Sequence, residues 1–390
     1  MSDTNIELIS TISEDNKLEL ALREIEIPEP GENEVVIRIE AAPINPSDLG
    51  VMFSAADMTT ASQSGSADRP IISADVPAKF MGAVKKRVGK PIPVGNEGAG
   101  TVVAAGSSAA AQSLMGKTVA VIGGGSYRQY LCAKVQSCLE LEPGTTAAEG
   151  ASSFVNPLTA LTMVETMRAE GHKAIVHAAA ASNLGQMLNR ICIADGIDLV
   201  NIVRKPEQET LLRELGAKYV VNSSSDSFMA DLTQALIETG ATIAFDPIGG
   251  GKLASDILTC MEAAVARNIT EYSVYGSDIY KQVYIYGGLD RGPITINRSF
   301  GFAWGVNGFL LFNALGKLSK ETTIAMRKRI AAEIKTTFAS HSRSIPGWCF
   351  TTGCDRGLRQ AGYRREVPDQ TTELTFDVWP QGHPRLLASE

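Results

Sequence analysis

Residues 175–185 carry the strongest chemical signal in the chain. They read Ile-Val-His-Ala-Ala-Ala-Ala-Ser-Asn-Leu-Gly, and a helical pattern follows from Gln186 to Ile191. Small residues after a buried strand let the backbone pass close to a diphosphate. The helix behind them aims its free N–H groups and positive dipole end at that charge. Only Gly185 remains of the usual G-x-G-x-x-G spacing, so a plain strand-to-helix turn is the rival reading. The next strand ends in Asn201-Ile202-Val203-Arg204-Lys205. An acidic residue usually holds a free ribose 2′-hydroxyl at that place; here it is occupied by Asn and two cations. Arg204 and Lys205 suit a 2′-phosphate, which points to NADPH over NADH. A solvated pair at the start of a loop is the alternative.

Metal chemistry has little support. His172, His177, His341 and His383 are not spaced as ligands, and no cysteine pairs with any of them. No zinc is expected. His177 ends a buried strand, where packing and local hydrogen bonding are its expected roles.

Two kinds of element must position these residues. From Thr146 onward strand and helix alternate. A helix is expected over 147–170, with Pro157 as an internal break. Strands are expected over 173–178, 198–203, 219–221, 241–246 and 283–287, with helices over 184–194, 207–215, 228–239 and 251–266. Strands separated by helices of this length form right-handed βαβ units on a parallel sheet. An apolar stretch, Phe300–Leu311, closes the series. Before Thr146 the grammar differs. Residues 17–41 read as strand, turn and strand, and further strands are expected at 94–104 and 118–122. Several short strands before any long helix suggest an antiparallel, barrel-like domain. Ser54 to Pro93 reads as a long irregular segment, a lid or a disordered loop.

The whole composition is globular: 390 residues, 44% hydrophobic and 20% charged, room for two or three domains. The net charge of −7 argues against nucleic acid or an anionic membrane as the main partner. Six cysteines, none in a CxxC pair, fit free thiols in a reducing cytosol. Met1–Glu14 lacks the basic and apolar regions of a signal peptide. No stretch is long and apolar enough to span a bilayer. A cytoplasmic protein with a small-molecule substrate is expected.

Taken in order, several motifs resemble the medium-chain dehydrogenase/reductase superfamily, in its zinc-independent quinone-oxidoreductase and enoyl-reductase branches. They are Ala42-Pro-Ile-Asn-Pro-Ser-Asp48, Val94-Gly-Asn-Glu-Gly-Ala-Gly100, Asn156-Pro-Leu-Thr-Ala160, Ala180-Ala-Ser-Asn-Leu-Gly185, Leu215-Gly-Ala217 and Phe245-Asp-Pro-Ile-Gly-Gly250. The resemblance runs from about residue 17 to about 340. Zinc-dependent members place a cysteine where Asn45 lies and a histidine where Asn96 lies; the four-cysteine lobe is also missing. The implied fold is α/β. A GroES-like β-barrel catalytic domain accompanies a Rossmann domain with a doubly wound parallel sheet, and the active site lies between them. Expected boundaries are 1–145 for the first part of the catalytic domain, 146–300 for the Rossmann domain, 301–345 for its end and the return, and 346–390 for an atypical tail.

The implied activity is hydride transfer from NADPH to a quinone or an α,β-unsaturated carbonyl. Asn45 and Thr159 would lie near the nicotinamide, Ser182–Gly185 near the diphosphate, and Arg204 and Lys205 near the 2′-phosphate. The expected cofactor-binding set is Asn156, Ala180, Ser182, Asn183, Leu184, Gly185, Arg204, Lys205, Asn222, Asp246 and Gly287. Related enoyl reductases use a tyrosine after the Asn-Pro-Ser-Asp motif, but no Tyr lies between Asp48 and Tyr127. Tyr127 is thus the candidate proton donor, with a core or rim aromatic as its rival role. A quinone can take its proton from water. Two further readings stand: an enoyl-thioester reductase, whose substrate phosphates would meet Lys79, Lys85, Lys86, Arg87 and Lys90, and an NADPH-binding protein with degraded activity. A homodimer is expected, paired near 300–311.

The last 45 residues break the pattern. Only 15 of them are apolar, five are Arg and four are Pro, and no helix or strand period persists where the family ends with a helix and a strand. With suitable codons, a one-nucleotide shift turns Pro346–Phe350 into Leu-Ala-Gly-Val-Leu and continues, through Gln370, as an apolar helix pattern and a short strand. A frameshift is the expectation and a genuine disordered tail the rival.

Overall fold

The computed structural model describes residues 4–66, 68–267, 269–270 and 272–340, and beyond them the backbone of strands Ser342–Pro346, Leu374–Asp377 and Arg385–Ser389. The chain divides into two units: Met1–Val155 with Arg327–Glu390, and Asn156–Met326.

In the first unit one sheet orders its strands Asp57–Gly65, Pro70–Asp75, Lys17–Glu26, Thr4–Ile12 and Ile92–Pro93. A second sheet is built around Glu34–Pro43, which pairs antiparallel with both Glu97–Ala105 and Tyr130–Lys134. Seven of the ten residues of Glu34–Pro43 are buried, so both of its faces are covered. That explains its run of Val, Val and Ile, where a half-exposed strand would alternate. Val35, Ile37, Ile39, Val102, Val119 and Val121 form the core beneath it.

Segment Ser54–Pro93 corrects the sequence reading. It is an ordered hairpin, Asp57–Gly65 with Pro70–Asp75, followed by helix Ala78–Val84. The outer strand is almost wholly exposed and rich in Ser and Thr, so it lacks the apolar alternation that marks a strand. Its order comes from its partner, which is itself paired to Lys17–Glu26. The N-terminal strand Thr4–Ile12 was also outside the sequence reading, and it pairs with Lys17–Glu26 along its full length.

Tail strands Leu374–Asp377 and Arg385–Ser389 pair with Glu34–Pro43, whereas the sequence offers no strand period there. An open edge supplies unpaired N–H and C=O groups, and backbone pairing does not demand an apolar pattern. Trp348, Cys349, Cys354 and Trp379 lie outside the described residues, as does most of the re-read segment 346–370.

The second unit holds six parallel strands in the order Tyr219–Asn222, Leu199–Val203, Ile175–Ala178, Ile243–Asp246, Lys281–Ile285 and Trp304–Gly308. The order in which strands are added across the sheet reverses between Ile175–Ala178 and Ile243–Asp246, which pair parallel. A sheet of this kind opens a crevice at such a point, beyond the carboxyl ends of its strands. Val176, Val200, Ile202, Val221, Ala244 and Val283 bury one side of the sheet against helices Phe228–Thr239 and Leu253–Ala266.

One local expectation changes. The break in the 147–170 helix falls between Ala147–Gly150 and Val155–Ala169. Pro157 sits in the first turn of the second helix, where its missing N–H costs nothing. Phe300–Leu311 is a strand, Trp304–Gly308, running into helix Leu311–Leu315. Among the described residues no helix is long and apolar enough to cross a membrane.

Candidate functional site

The turn after Ile175–Ala178 is built for close approach. Ala179 takes φ +50°, a left-handed conformation that glycine usually supplies. Ser182 then caps helix Asn183–Asp195, its Oγ accepting from Gly185 N at 3.2 Å. A Cβ on Gly185 would collide with the Ala180 carbonyl oxygen and lie 2.6 Å from its carbon. Helix and turn can meet this tightly only with glycine there, the packing role of a dinucleotide turn's last glycine. Ala180 and Leu184 are buried, while Ser182 and Asn183 are half-buried at the mouth of the turn.

On the neighbouring strand Asn201 is not at the strand end as the sequence reading had it. It is fully buried, its Nδ2 reaching Tyr219 O at 3.2 Å. Arg204 is exposed and Lys205 half-buried just past the last strand residue. Their backbone N–H groups both donate to Gln208 Oε1, at 3.1 and 3.2 Å. Asn222 ends the next strand, its Nδ2 donating to Glu209 at 2.7 Å and its Oδ1 accepting from Ser224 N at 2.9 Å.

Across the reversal point, buried Asp246 accepts from Ile248 N at 2.8 Å and Gly249 N at 3.4 Å, and burial raises its carboxyl. Gly287 lies against the Pro247 backbone, its would-be Cβ 3.0 Å from Pro247 Cα. His177 is wholly buried and bonded through Nε2 to the Tyr286 hydroxyl at 2.8 Å. Burial pushes it down to about 3, so it is neutral. Asp246 thus ends its strand, and Ala180 and Gly287 lie just past the carboxyl ends of theirs. Asn156 and Thr159 are buried on helix Val155–Ala169.

The first unit holds a buried polar network around Asn45. This residue is 1% exposed and precedes helix Pro46–Phe53. Its N–H donates to Asp48 Oδ2 at 2.8 Å, and its Nδ2 donates to Glu97 Oε1 at 3.0 Å. Glu97 Oε2 accepts from the N–H groups of Phe154 (2.7 Å) and Val155 (3.1 Å). Asp48 Oδ1 accepts from Asn96 N at 2.7 Å. Burial pushes Glu97 up to about 8 and Asp48 up to about 6, against the pull of these donors. Asp48 and Glu97 sit inside the motifs noted above, yet the sequence reading assigned them no role. A lone acid in a Gly- and Ala-rich strand was the available signal.

Tyr127 is buried, and its hydroxyl donates to the Pro43 carbonyl at 2.7 Å. Its ring also packs under Gly95, which adopts φ +93°. Among the described residues no group of three His, Cys, Asp or Glu could hold a metal ion.

Known proteins match this arrangement. The family model "Alcohol dehydrogenase GroES-like domain" matches residues 31–143. A mitochondrial enoyl-[acyl-carrier-protein] reductase of Xenopus tropicalis is 27% identical over 71% of this chain and 68% of its own length. The chloroplastic quinone-oxidoreductase homolog of Spinacia oleracea is 28% identical over 57% of this chain and 69% of its own. A putative NADPH:quinone reductase from Mesorhizobium loti shares the fold, with TM-score 0.68, 24% identity, and 96% and 98% of the two chains covered. With a GroES-like domain matched over residues 31–143, a six-stranded parallel sheet with its glycine-dependent turn, and relatives of these two kinds, the chain is similar to the quinone oxidoreductases and enoyl reductases of the medium-chain dehydrogenase/reductase superfamily.

Proposed function

We propose that the protein is a zinc-independent oxidoreductase that uses NADPH to reduce a quinone or an α,β-unsaturated carbonyl. The observation that carries this reading is the Ala179–Gly185 turn at the head of a helix, with Arg204 and Lys205 beyond the adjacent strand. The tight turn and the first N–H groups of Asn183–Asp195 suit a diphosphate. Two cations at the next strand end suit a 2′-phosphate. Asn45 and Thr159 are assigned to the nicotinamide end. Bound there, NADPH supplies the hydride, and the chain's task is to orient it and stabilise developing oxyanion charge.

Zinc independence rests on Asn45 and Asn96. A neutral amide cannot replace a thiolate or an imidazole as a ligand, and the Asn45 amide nitrogen is taken up by Glu97. The Tyr127 proton already has a buried acceptor, so we assign the proton of a reduced quinone to water. We also assign the protein to the cytoplasm and to a homodimer, which size-exclusion chromatography with light scattering would test.

NADPH oxidation measured with a quinone, an enone and crotonyl-CoA, with NADH as control, tests the reading. Turnover of the quinone or enone supports it. Faster turnover of crotonyl-CoA would favour the enoyl-thioester reading, for which the exposed Lys79, Lys85, Lys86 and Lys90 offer phosphate partners. The Arg87 side chain is tied instead to Ser10 and the Val51 carbonyl. NADPH binding without turnover would leave the degraded-activity reading.

We further propose that residues 346–390 are read in a shifted frame, on the composition break at Pro346. DNA that fails to encode the apolar helix pattern one nucleotide over would end this idea. The frame-corrected chain is expected to melt several degrees higher, because it restores a terminal helix and strand to the catalytic unit. Equal thermal midpoints would count against that.

A further inference from the structure

The loops that follow strands Ile243–Asp246 and Lys281–Ile285 are closed on each other beyond the sheet. Tyr286 N donates to Asp246 O at 3.0 Å, Leu289 N to Pro247 O at 3.2 Å and Asp290 N to Ile248 O at 2.8 Å. Past the glycines the pairing resumes, with Gly251 N on Pro293 O at 3.0 Å and Thr295 N on Gly251 O at 2.8 Å. Between these two sets of bonds sits the Asp290 side chain. Its Oδ1 accepts from Gly292 N at 2.7 Å, and its carboxyl group lies over Gly250. A Cβ on Gly250 would come within 2.5 Å of Asp290 Cγ and within 2.7 and 2.8 Å of the two carboxyl oxygens. Those are the three nearest atoms outside its own stretch of chain, so only a residue without a side chain leaves room for that carboxylate. Neither Gly250 nor Asp290 has a part in the site described above.

The place of this double loop gives it a task. A dinucleotide lies across the crevice where the strand order reverses, with one mononucleotide half on each side. Arg204 and Lys205 follow Leu199–Val203, on one side of the diphosphate turn, so the adenosine half is assigned there. The dihydronicotinamide half then extends to the other side, where Ile243–Asp246 and Lys281–Ile285 end. We infer that Asp290 is a positioning residue: by bonding Gly292 and packing on Gly250 it holds the two loops as one rigid wall, and that wall seats the dihydronicotinamide half. The inference rests on the NADPH reading above and deepens it. Asp290 acts through the backbone of both loops. A seat already in its bound shape loses less freedom on binding than one that the ligand must assemble.

Calorimetry with NADPH and with 2′,5′-ADP tests this, because the smaller ligand keeps the 2′-phosphate and adenosine but has no nicotinamide. Asp290→Ala is expected to weaken NADPH about tenfold and to change 2′,5′-ADP by less than about twofold. General damage to the unit would weaken both alike. Asp290→Asn keeps an Oδ1 for the Gly292 N–H and should bind NADPH within about twofold of the unaltered protein. Gly250→Ala removes the same contact from the other side, because its methyl group takes the place of the carboxyl. It should weaken NADPH by a similar factor, and it carries the test if Asp290→Ala does not fold. Together the two substitutions should cost no more than either alone, since they remove one contact. Four results overturn the inference: equal loss for both ligands, undiminished NADPH binding in the folded single variants, an Asp290→Asn protein as weak as Asp290→Ala, or full additivity in the double variant. If the unaltered protein binds neither NADPH nor 2′,5′-ADP, the NADPH reading itself falls, and this inference with it.

Discussion

Gly185→Ala is expected to cripple both the stability of the parallel-sheet unit and its hold on NADPH. A methyl group there meets only backbone: the Ala180 carbonyl oxygen, its carbon at 2.6 Å and the Ala180 Cα at 2.8 Å. No side chain can swing aside, so the helix must lift from the strand or the turn must open. Overpacking of this kind costs about 3 kcal/mol or more where backbone has to move. For a unit of this size that lowers the thermal midpoint by roughly ten degrees. The same displacement spoils the alignment of the helix N–H groups, so NADPH affinity should fall with it. Gly82→Ala is the matched control. It lies in helix Ala78–Val84 with nothing within 4 Å of the added carbon, and it should leave the midpoint unchanged or raise it slightly. A Gly185→Ala protein that melts and binds as the parent does would remove the close-approach account of the turn.

Arg204→Asp should reverse the choice of cofactor. Arg204 is exposed just beyond the strand Leu199–Val203, where the second ribose of a dinucleotide would lie. Losing a charge-assisted bond to a phosphate and gaining a repelling carboxylate should raise the apparent constant for NADPH by about a hundredfold. The carboxylate can accept from a free 2′-hydroxyl, so NADH should bind no worse than before and the NADPH-to-NADH ratio should collapse. The effect should weaken in high salt, as expected of an exposed site. Unchanged constants for both cofactors would remove the 2′-phosphate assignment from this residue.

Much of the fold could be read from the chain because its second half is locally consistent. Buried apolar strands such as Ile175–Ala178 alternate with amphipathic helices such as Phe228–Thr239, and each carries its own periodic signal. The first half carries weaker local signals. Asp57–Gly65 is polar and exposed, and it is a strand only because Pro70–Asp75 and Lys17–Glu26 lie beside it. Thr4–Ile12 likewise takes its order from pairing along its full length. The candidate site divides in the same way. Ser182 and Gly185 announce themselves by type and spacing, since capping and close packing are local demands. Asp48 and Glu97 do not, because an acid becomes unusual only when burial strips its water, and burial is decided far along the chain.

By itself the sequence determined that this is an acidic, glycine-punctuated chain with a βαβ half, a small-residue turn after its first strand, and two cations where an acid is commonly found. These are properties of neighbours along the chain, set by propensity, period and capping. Only the tertiary structure decided that Asn45, Asp48 and Glu97 form one buried network, although Asn45 and Glu97 lie 52 positions apart. It also decided that Asn201 faces the core and that the Tyr127 hydroxyl donates to the Pro43 carbonyl. Hydrogen-bond partners distant in sequence are chosen by the packing of strands and helices, and no local pattern encodes which buried polar atom will be left without one.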